Sequence, residues 1–239
     1  TGTTQPLTFG YHNVSLLDIS QDSRYILYMV SRTRLAKRPT TLSSVYRLDL
    51  STMKAECLVD SDGFIATACF SPDARMIAVK GSPECLGGIG KNLPEGRTPS
   101  MFDYQLYTID CQTHKVTALT RDFNPSIETM EWSLYDGNIY FTALDRDLRS
   151  LFRLNPKTGK IVPIKVPEDY VGGVGLADRA PTLCCTGQSA TNIDRLYQVN
   201  TANGKVTLLE DLQKTLADAD IASCQEWSFL SSRGDTVNG

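Results

Sequence analysis

Four segments of this chain align without gaps: Val45-Tyr46-Arg47-Leu48-Asp49, Leu106-Tyr107-Thr108-Ile109-Asp110, Leu151-Phe152-Arg153-Leu154-Asn155 and Leu196-Tyr197-Gln198-Val199-Asn200. Each runs apolar, aromatic, polar, apolar and then Asp or Asn. Such self-similarity constrains the fold strongly, because a repeat unit buries its apolar face only by stacking on its neighbours. The closing Asp or Asn suits a strand end, where a short side chain caps the following turn through backbone N–H groups. Four residues further on stand Met53, His114, Gly159 and Gly204, each followed by a lysine. Two glycines and a histidine at one repeat position predict a left-handed backbone there, which glycine adopts freely and histidine more readily than most. After the lysine the alternation resumes, as in Lys205-Val206-Thr207-Leu208-Leu209. Each unit is therefore a β-hairpin.

The aromatic positions are spaced by 61, 45 and 45 residues. A period near 45 fits the roughly 40 to 50 residues of a four-stranded propeller blade. The other half of each blade precedes its hairpin as a strand-turn-strand phrase: Asp18 to Tyr28 around Ser20-Gln21-Asp22-Ser23, Cys69 to Val79 around Ser71-Pro72-Asp73-Ala74, and Glu131 to Phe141 around Ser133-Leu134-Tyr135-Asp136-Gly137. In the fourth unit the phrase decays to Gly175 through Leu183. The expectation is an all-β propeller with about four blades, the last irregular. Pro6-Leu7-Thr8 matches Ala118-Leu119-Thr120 and reads as a fourth strand. At the other end Ile221 to Leu230 reads as a strand, Ser231 to Gly239 as a turn opening into another, and Leu212 to Asp220 has helix-forming composition. Blades over 1–220, followed by a last strand and hinge over 221–239, are the expected organisation. The chain reads as a piece cut from a longer protein.

Composition closes several routes. Twenty-four basic against 27 acidic side chains give a net charge of −3, without the basic excess by which a nucleic-acid binder displaces counterions. At 41% hydrophobic and 21% charged the chain has apolar material for a core. No stretch approaches the roughly 18 apolar residues of a membrane span. The seven cysteines include no C-x-x-C pair, so neither a zinc ribbon nor a disulfide framework is indicated. Cys184 and Cys185, adjacent in a strand, are expected on opposite faces.

Catalytic chemistry is thinly supplied. His12 and His114 are the two histidines, and His114 occupies a turn position. Gly187-Gln188-Ser189-Ala190-Thr191 fails the nucleophile pattern G-x-S-x-G at its last residue, and no histidine follows it. Gly87-Gly88-Ile89-Gly90-Lys91-Asn92 and Val171-Gly172-Gly173-Val174-Gly175 each miss a required residue of a phosphate or dinucleotide loop and read as glycines for turns and close packing. Arg233-Gly234-Asp235 spells an integrin-recognition tripeptide within a turn, and Asn13-Val14-Ser15 a glycosylation acceptor. No catalytic residue, metal ligand or cofactor is assigned to this chain. The insertion from about Gly81 to Asp103 lengthens one period to 61, and insertions in repeat folds map to loops of one face, often the binding face. Glu84, Arg97, Phe102 and Asp103 within it are the candidate substrate-binding residues, a mixture of charge and aromatic surface suited to a peptide end.

Leu119 through Ser133, continuing through Asp136-Gly137-Asn138-Ile139-Tyr140-Phe141-Thr142-Ala143 to Leu151-Phe152-Arg153-Leu154, resembles a passage between blades in the prolyl oligopeptidase family of serine peptidases, in its dipeptidyl and acylaminoacyl peptidase branches. Trp227 through Gly239 resembles the segment that leads from that family's propeller into its α/β-hydrolase domain. The resemblance implies seven or eight blades in the parent and a Ser-Asp-His triad in a hydrolase domain outside this chain. It also implies a peptide substrate gripped through the parent enzyme, a homodimer of the parent, and an exported bacterial location, periplasmic or secreted. The glutamate pair that holds the substrate amino terminus in relatives of dipeptidyl peptidase IV has no counterpart here. The rival expectation is a TolB-like, non-enzymatic propeller that binds protein partners. A polysaccharide-acting propeller would need a His or carboxylate cluster, and the two histidines supply it poorly.

Overall fold

The computed structural model describes residues 2, 4–91, 96, 100–212, 214 and 225–238. The chain divides into two compact units, Thr1–Asp122 and Phe123–Gly239. In the first, β1 (Asn13–Ile19), β2 (Tyr25–Thr33), β3 (Thr41–Asp49) and β4 (Lys54–Asp62) form one antiparallel sheet. A second contains β5 (Ile65–Phe70), β6 (Met76–Gly81), β7 (Gln105–Asp110) and β8 (Val116–Ala118), with the short α1 (Cys85–Gly88) between β6 and β7. In the second unit β9 (Ser126–Trp132), β10 (Ile139–Asp145), β11 (Leu148–Leu154) and β12 (Ile161–Ile164) make the third blade. The fourth is built from β13 (Tyr170–Leu176), β14 (Thr182–Ser189), β15 (Asn192–Asn200) and β16 (Val206–Asp211). A hairpin of β17 (Ser228–Leu230) and β18 (Thr236–Asn238) follows.

The recurring segments are thus the third strand of every blade. The left-handed position is real: φ is 55° at Met53, 57° at His114, 71° at Gly159 and 75° at Gly204. Ahead of it, Asp110 accepts the N–H groups of Gln112 and Thr113 at 2.9 and 2.7 Å, and Asn155 those of Lys157 and Thr158 at 3.0 and 3.1 Å. Asn200 does the same for Ala202 and Asn203. The phrase between the first two strands is equally regular. The Ser20 backbone N–H donates to Tyr25 O at 2.9 Å and the Tyr25 N–H donates to Ser20 Oγ at 2.8 Å, and Ser71 repeats both bonds with Met76. Its own left-handed residues are Ser23, Ala74 and Gly137. The β17–β18 turn carries the same signature, with Ser231 N–H donating to Asp235 O, Gly234 N–H to Ser231 O, and φ +84° at Gly234. Arg233-Gly234-Asp235 therefore serves the turn.

Irregularity in the fourth blade takes the form of a bulge between Val171 and Val174 in β13. Gly172 is needed there, because a Cβ would stand 2.3 Å from Thr186 Oγ1. The third and fourth blades join through one parallel bridge, Arg149 to Tyr170, reinforced where the Arg149 guanidinium donates to Val171 O at 2.6 Å. Cys185 is buried and Cys184 half-buried, as alternation requires. Among the described residues Pro6-Leu7-Thr8 forms no strand, a correction: alternation without a hydrogen-bonding neighbour does not make a strand. The expected strand from Ile221 shortens to Ser228–Leu230; 221–224 and most of the expected helix over Leu212 to Asp220 lie outside the described residues.

Each unit has its own core. In the first, Leu27, Val45, Val59, Ile77, Val79, Tyr107 and Ile109 pack between the two sheets. In the second, Tyr140, Leu151, Val171, Leu183, Tyr197 and Val199 do so.

Candidate functional site

The insertion between β6 and β7 is anchored before it reaches the surface. The Tyr107 phenol, fully buried, donates to Ser82 O at 2.8 Å. Gly90 passes directly over that ring, where a Cβ would stand 1.9 Å from the Tyr107 oxygen. Asp62 accepts the Phe64 and Leu86 N–H groups, both at 2.7 Å, and so fixes α1 against the end of β4. Burial pushes the Tyr107 hydroxyl far above the ordinary phenol range, and neighbouring Cys85 and acidic groups add to it.

On this base the expected site residues fall as follows. Glu84 is half-buried at the start of α1 and accepts from Ser82 Oγ at 2.8 Å. Asp103, at the return of the insertion, is ion-paired with Lys91, both side chains being largely buried, and accepts from Gln105 Nε2 at 3.4 Å. Gln105 is itself bonded to the Thr120 hydroxyl at 2.9 Å, and that hydroxyl accepts the Leu106 N–H. Asp103 thus clamps the two ends of the insertion. Phe102 presents a ring that is 76% exposed, beside exposed Met101. Arg97 lies outside the described residues. Among the described residues the insertion therefore offers an exposed aromatic ring beside its clamped return.

The other chemistry-bearing residues take structural places. His114 sits in its left-handed turn, with Nε2 3.1 Å from Glu56 Oε1, while Arg47 reaches the same carboxylate at 2.6 Å. Both partners hold Glu56 below the usual carboxylate range against the opposing effect of burial. His12 is exposed in the bend before β1. Ser189 closes β14, and its Oγ faces Thr191 and Asn192 in a strand-to-strand turn, whereas a nucleophile elbow requires a strand-to-helix turn. Among the described residues no three His, Cys, Asp or Glu side chains gather as metal ligands, and no helix is long and apolar enough to cross a membrane.

A second concavity was not foreseen. Between the outer parts of the third and fourth blades lies a cleft of about 560 Å³, lined by Leu151, Ile164, Val166, Val171 and Val206, with Glu168 among them. The Glu168 carboxylate accepts from the Tyr197 phenol at 2.6 Å and from Arg195 Nη1 at 3.2 Å. Burial, and next the bond to Glu168, push the Tyr197 hydroxyl up to about 12. A faint signal exists in sequence, since Arg195 and Tyr197 point to one face of β15, and Gly187 opposite Arg195 leaves that face open. Nothing in the pattern says which loop carboxylate fills the opening.

Four-stranded antiparallel blades in series define a β-propeller, and known structures agree. The β-propeller domain of the Trilobed protease from Pyrococcus furiosus matches with a TM-score of 0.61 at 17% identity, over 87% of this chain and 54% of that one. A puromycin hydrolase S511A mutant complexed with PGG matches with a TM-score of 0.68 at 15% identity, over 98% of this chain and 34% of the hydrolase. TolB from Acinetobacter baumannii gives 0.59 at 16%, over 95% and 48%. No family model matches the sequence. Among curated proteins, dipeptidyl-peptidase 5 of Porphyromonas gingivalis is 24% identical over 223 residues, 91% of this chain. Together these likenesses show a β-propeller fold. The chain spans 30% of the length of that dipeptidyl-peptidase.

Proposed function

We propose that this chain is a non-catalytic part of the propeller of a serine exopeptidase, gating and docking short peptides for an α/β-hydrolase domain in the same protein. The observation that carries the reading is the alignment of nearly the whole chain with under a third of a dipeptidyl-peptidase. The absence of a nucleophile elbow at Ser189 accords with it. A propeller beside an active site admits short chains and excludes folded ones by size, so it narrows a general acyl-transfer chemistry to peptides without contributing to the chemical step. Within this reading the insertion carrying Glu84, Arg97, Phe102 and Asp103 is the part of the chain that meets substrate, chiefly through Phe102, and the parent is an exported bacterial enzyme.

The purified chain should not turn over dipeptidyl or acyl-aminoacyl chromogenic substrates, and a fluorophosphonate probe should leave its serines unlabelled. Stoichiometric labelling would place the nucleophile inside the chain and end the proposal. In the full-length enzyme Phe102→Ala should raise KM for dipeptide substrates and leave kcat in place; an unchanged KM would remove the insertion from the substrate path. The TolB-like alternative separates from this one in the reading frame, where only a peptidase carries G-x-S-x-G downstream.

A further inference from the structure

The segment joining β12 to β13 tucks a carboxylate beneath the blade that it enters. The Glu168 side chain is 0% exposed. Its stem lies across Gly187, where a Cβ would stand 2.7 Å from Glu168 Cγ, so glycine there makes the space that it occupies. Tyr197 and Arg195 hold Oε1, and Arg195 Nε also donates to Asp211 Oδ2 at 3.0 Å. One guanidinium is thus shared by two carboxylates, Glu168 and Asp211. The remaining oxygen, Glu168 Oε2, is buried and has no hydrogen-bond partner among the described residues. A buried carboxylate oxygen without a donor is costly, and a cationic donor entering the cleft would relieve that cost.

The shape and charge of the cleft select the donor. Its walls of Leu151, Ile164, Val166, Val171 and Val206 suit an alkyl stem. An anion is opposed by the Glu168 carboxylate. A calcium ion needs six to eight oxygen ligands and magnesium a near-octahedral set, where one oxygen is free and a guanidinium stands beside it. A guanidinium ligand forfeits its two-pronged match when only one carboxylate oxygen is open. A compact ammonium on a flexible stem is the donor that fits.

We propose that this cleft binds a primary alkylammonium group, the chemistry of a lysine side chain, with Glu168 Oε2 as acceptor and the apolar walls around the stem. The site stands independently of the peptidase reading, since it uses neither the insertion nor a catalytic domain. Lys165, exposed on the rim of the same cleft, is the internal competitor.

The test is calorimetric titration of the full chain with Nα-acetyl-lysine methylamide, with 1,5-diaminopentane, and with the uncharged norleucine analogue of the first. Saturable binding of the lysine derivative, at least tenfold weaker for norleucine and in Glu168→Gln, supports the site; binding of the diamine alone assigns a free amine as the ligand. Should Glu168→Gln not fold, Val166→Trp, which fills the cleft and leaves the carboxylate intact, should abolish binding. Lys165→Ala should tighten it. Equal binding of lysine and norleucine derivatives, or no binding of either amine to Lys165→Ala, overturns the proposal.

Discussion

Substituting Gly159 by Ala tests the repeat at its most constrained point. Gly159 has φ +71°, and a Cβ built on it meets nothing within 4 Å, so no clash or cavity contributes. What remains is the cost of holding an L-residue in the left-handed region, about 1–2 kcal/mol. Alanine has the lower unfolded-state entropy, which offsets about 0.5–1 kcal/mol, leaving a net loss of about 0–1.5 kcal/mol, centred on ~0.75 kcal/mol. Both tryptophans, Trp132 and Trp227, lie in the unit that contains Gly159. Urea unfolding followed by tryptophan fluorescence therefore reports on the right half of the molecule. Gly159→Asn, whose side chain tolerates the left-handed region better, should lose less than alanine. In the first unit, Met53 holds φ +55°, and Met53→Gly should be neutral to stabilising because it releases strain of the same origin. If Gly159→Ala leaves the midpoint unmoved, or if alanine and asparagine are indistinguishable, the shared turn geometry is not what glycine is retained for.

Three further outcomes follow from named contacts. Asp18→Ala removes the carboxylate that accepts the Phe70 N–H at 2.7 Å and should cost about 1–3 kcal/mol in denaturant unfolding, the penalty for orphaning a part-buried donor. Tyr107→Phe keeps the packing and removes one of the two donors to buried Ser82 O, which the Cys85 N–H still reaches at 3.0 Å; a loss of about 0.5–1.5 kcal/mol is expected, with the peptide backbone of the insertion becoming faster in hydrogen exchange. Asp110 is held below the usual carboxylate range first by the Thr113 and Gln112 N–H groups. Its contribution is thus present above the unfolded pKa near 4 and lost as pH falls through the lower folded value. Asp110→Asn, the residue that the third and fourth blades already carry at this place, should flatten the acid side of the urea-midpoint profile below about pH 4.

The blade hairpins were legible because they rest on local chemistry. The Asp or Asn caps, the left-handed turn residue and the alternating strands all act within ten or so residues, which is the range that a sequence pattern encodes. The Ser-led turn phrase belongs to the same class, and even the fourth blade, where the phrase has decayed, forms its first two strands. The terminal Pro6-Leu7-Thr8 failed for the complementary reason: a strand exists only with a partner, and similarity to Ala118-Leu119-Thr120 carries no partner with it. The candidate site was legible as an insertion, through the stretched period, but the ion pair of Asp103 with Lys91 was not, since it joins two points on opposite sides of a loop. Glu168 was invisible for a stronger reason. Its burial depends on a missing Cβ at Gly187 and on two side chains of β15, which are brought to it only by the fold.

One regularity emerges only in three dimensions and changes what the repeat unit is. In the first and third blades the aromatic of the repeating segment stacks on an aromatic opposite it, Tyr46 on Tyr28 and Phe152 on Phe141, both at 5.3 Å. In the second and fourth the same position is a tyrosine facing Val79 or Cys185, and its hydroxyl reaches Ser82 O or Glu168 instead. The first strand alternates likewise. Two residues before the turn serine, Asp18 and Glu131 accept backbone N–H groups from the next blade, Phe70 and Leu176, whereas the second and fourth blades carry Cys69 and Gly175 there. Within each unit the tie thus runs forward from a carboxylate of the earlier blade to a backbone N–H of the later one. Each compact unit therefore holds one acid-tied pair. The consequence for stability is directional. Glu131→Gln keeps an acceptor oxygen and should be mild, while Glu131→Ala should loosen the fourth blade from the third, detected as faster exchange of the Leu176 amide with little change at the β10–β11 ladder. Equal acceleration in both places would mean that the blade, and not the pair, is the cooperative element.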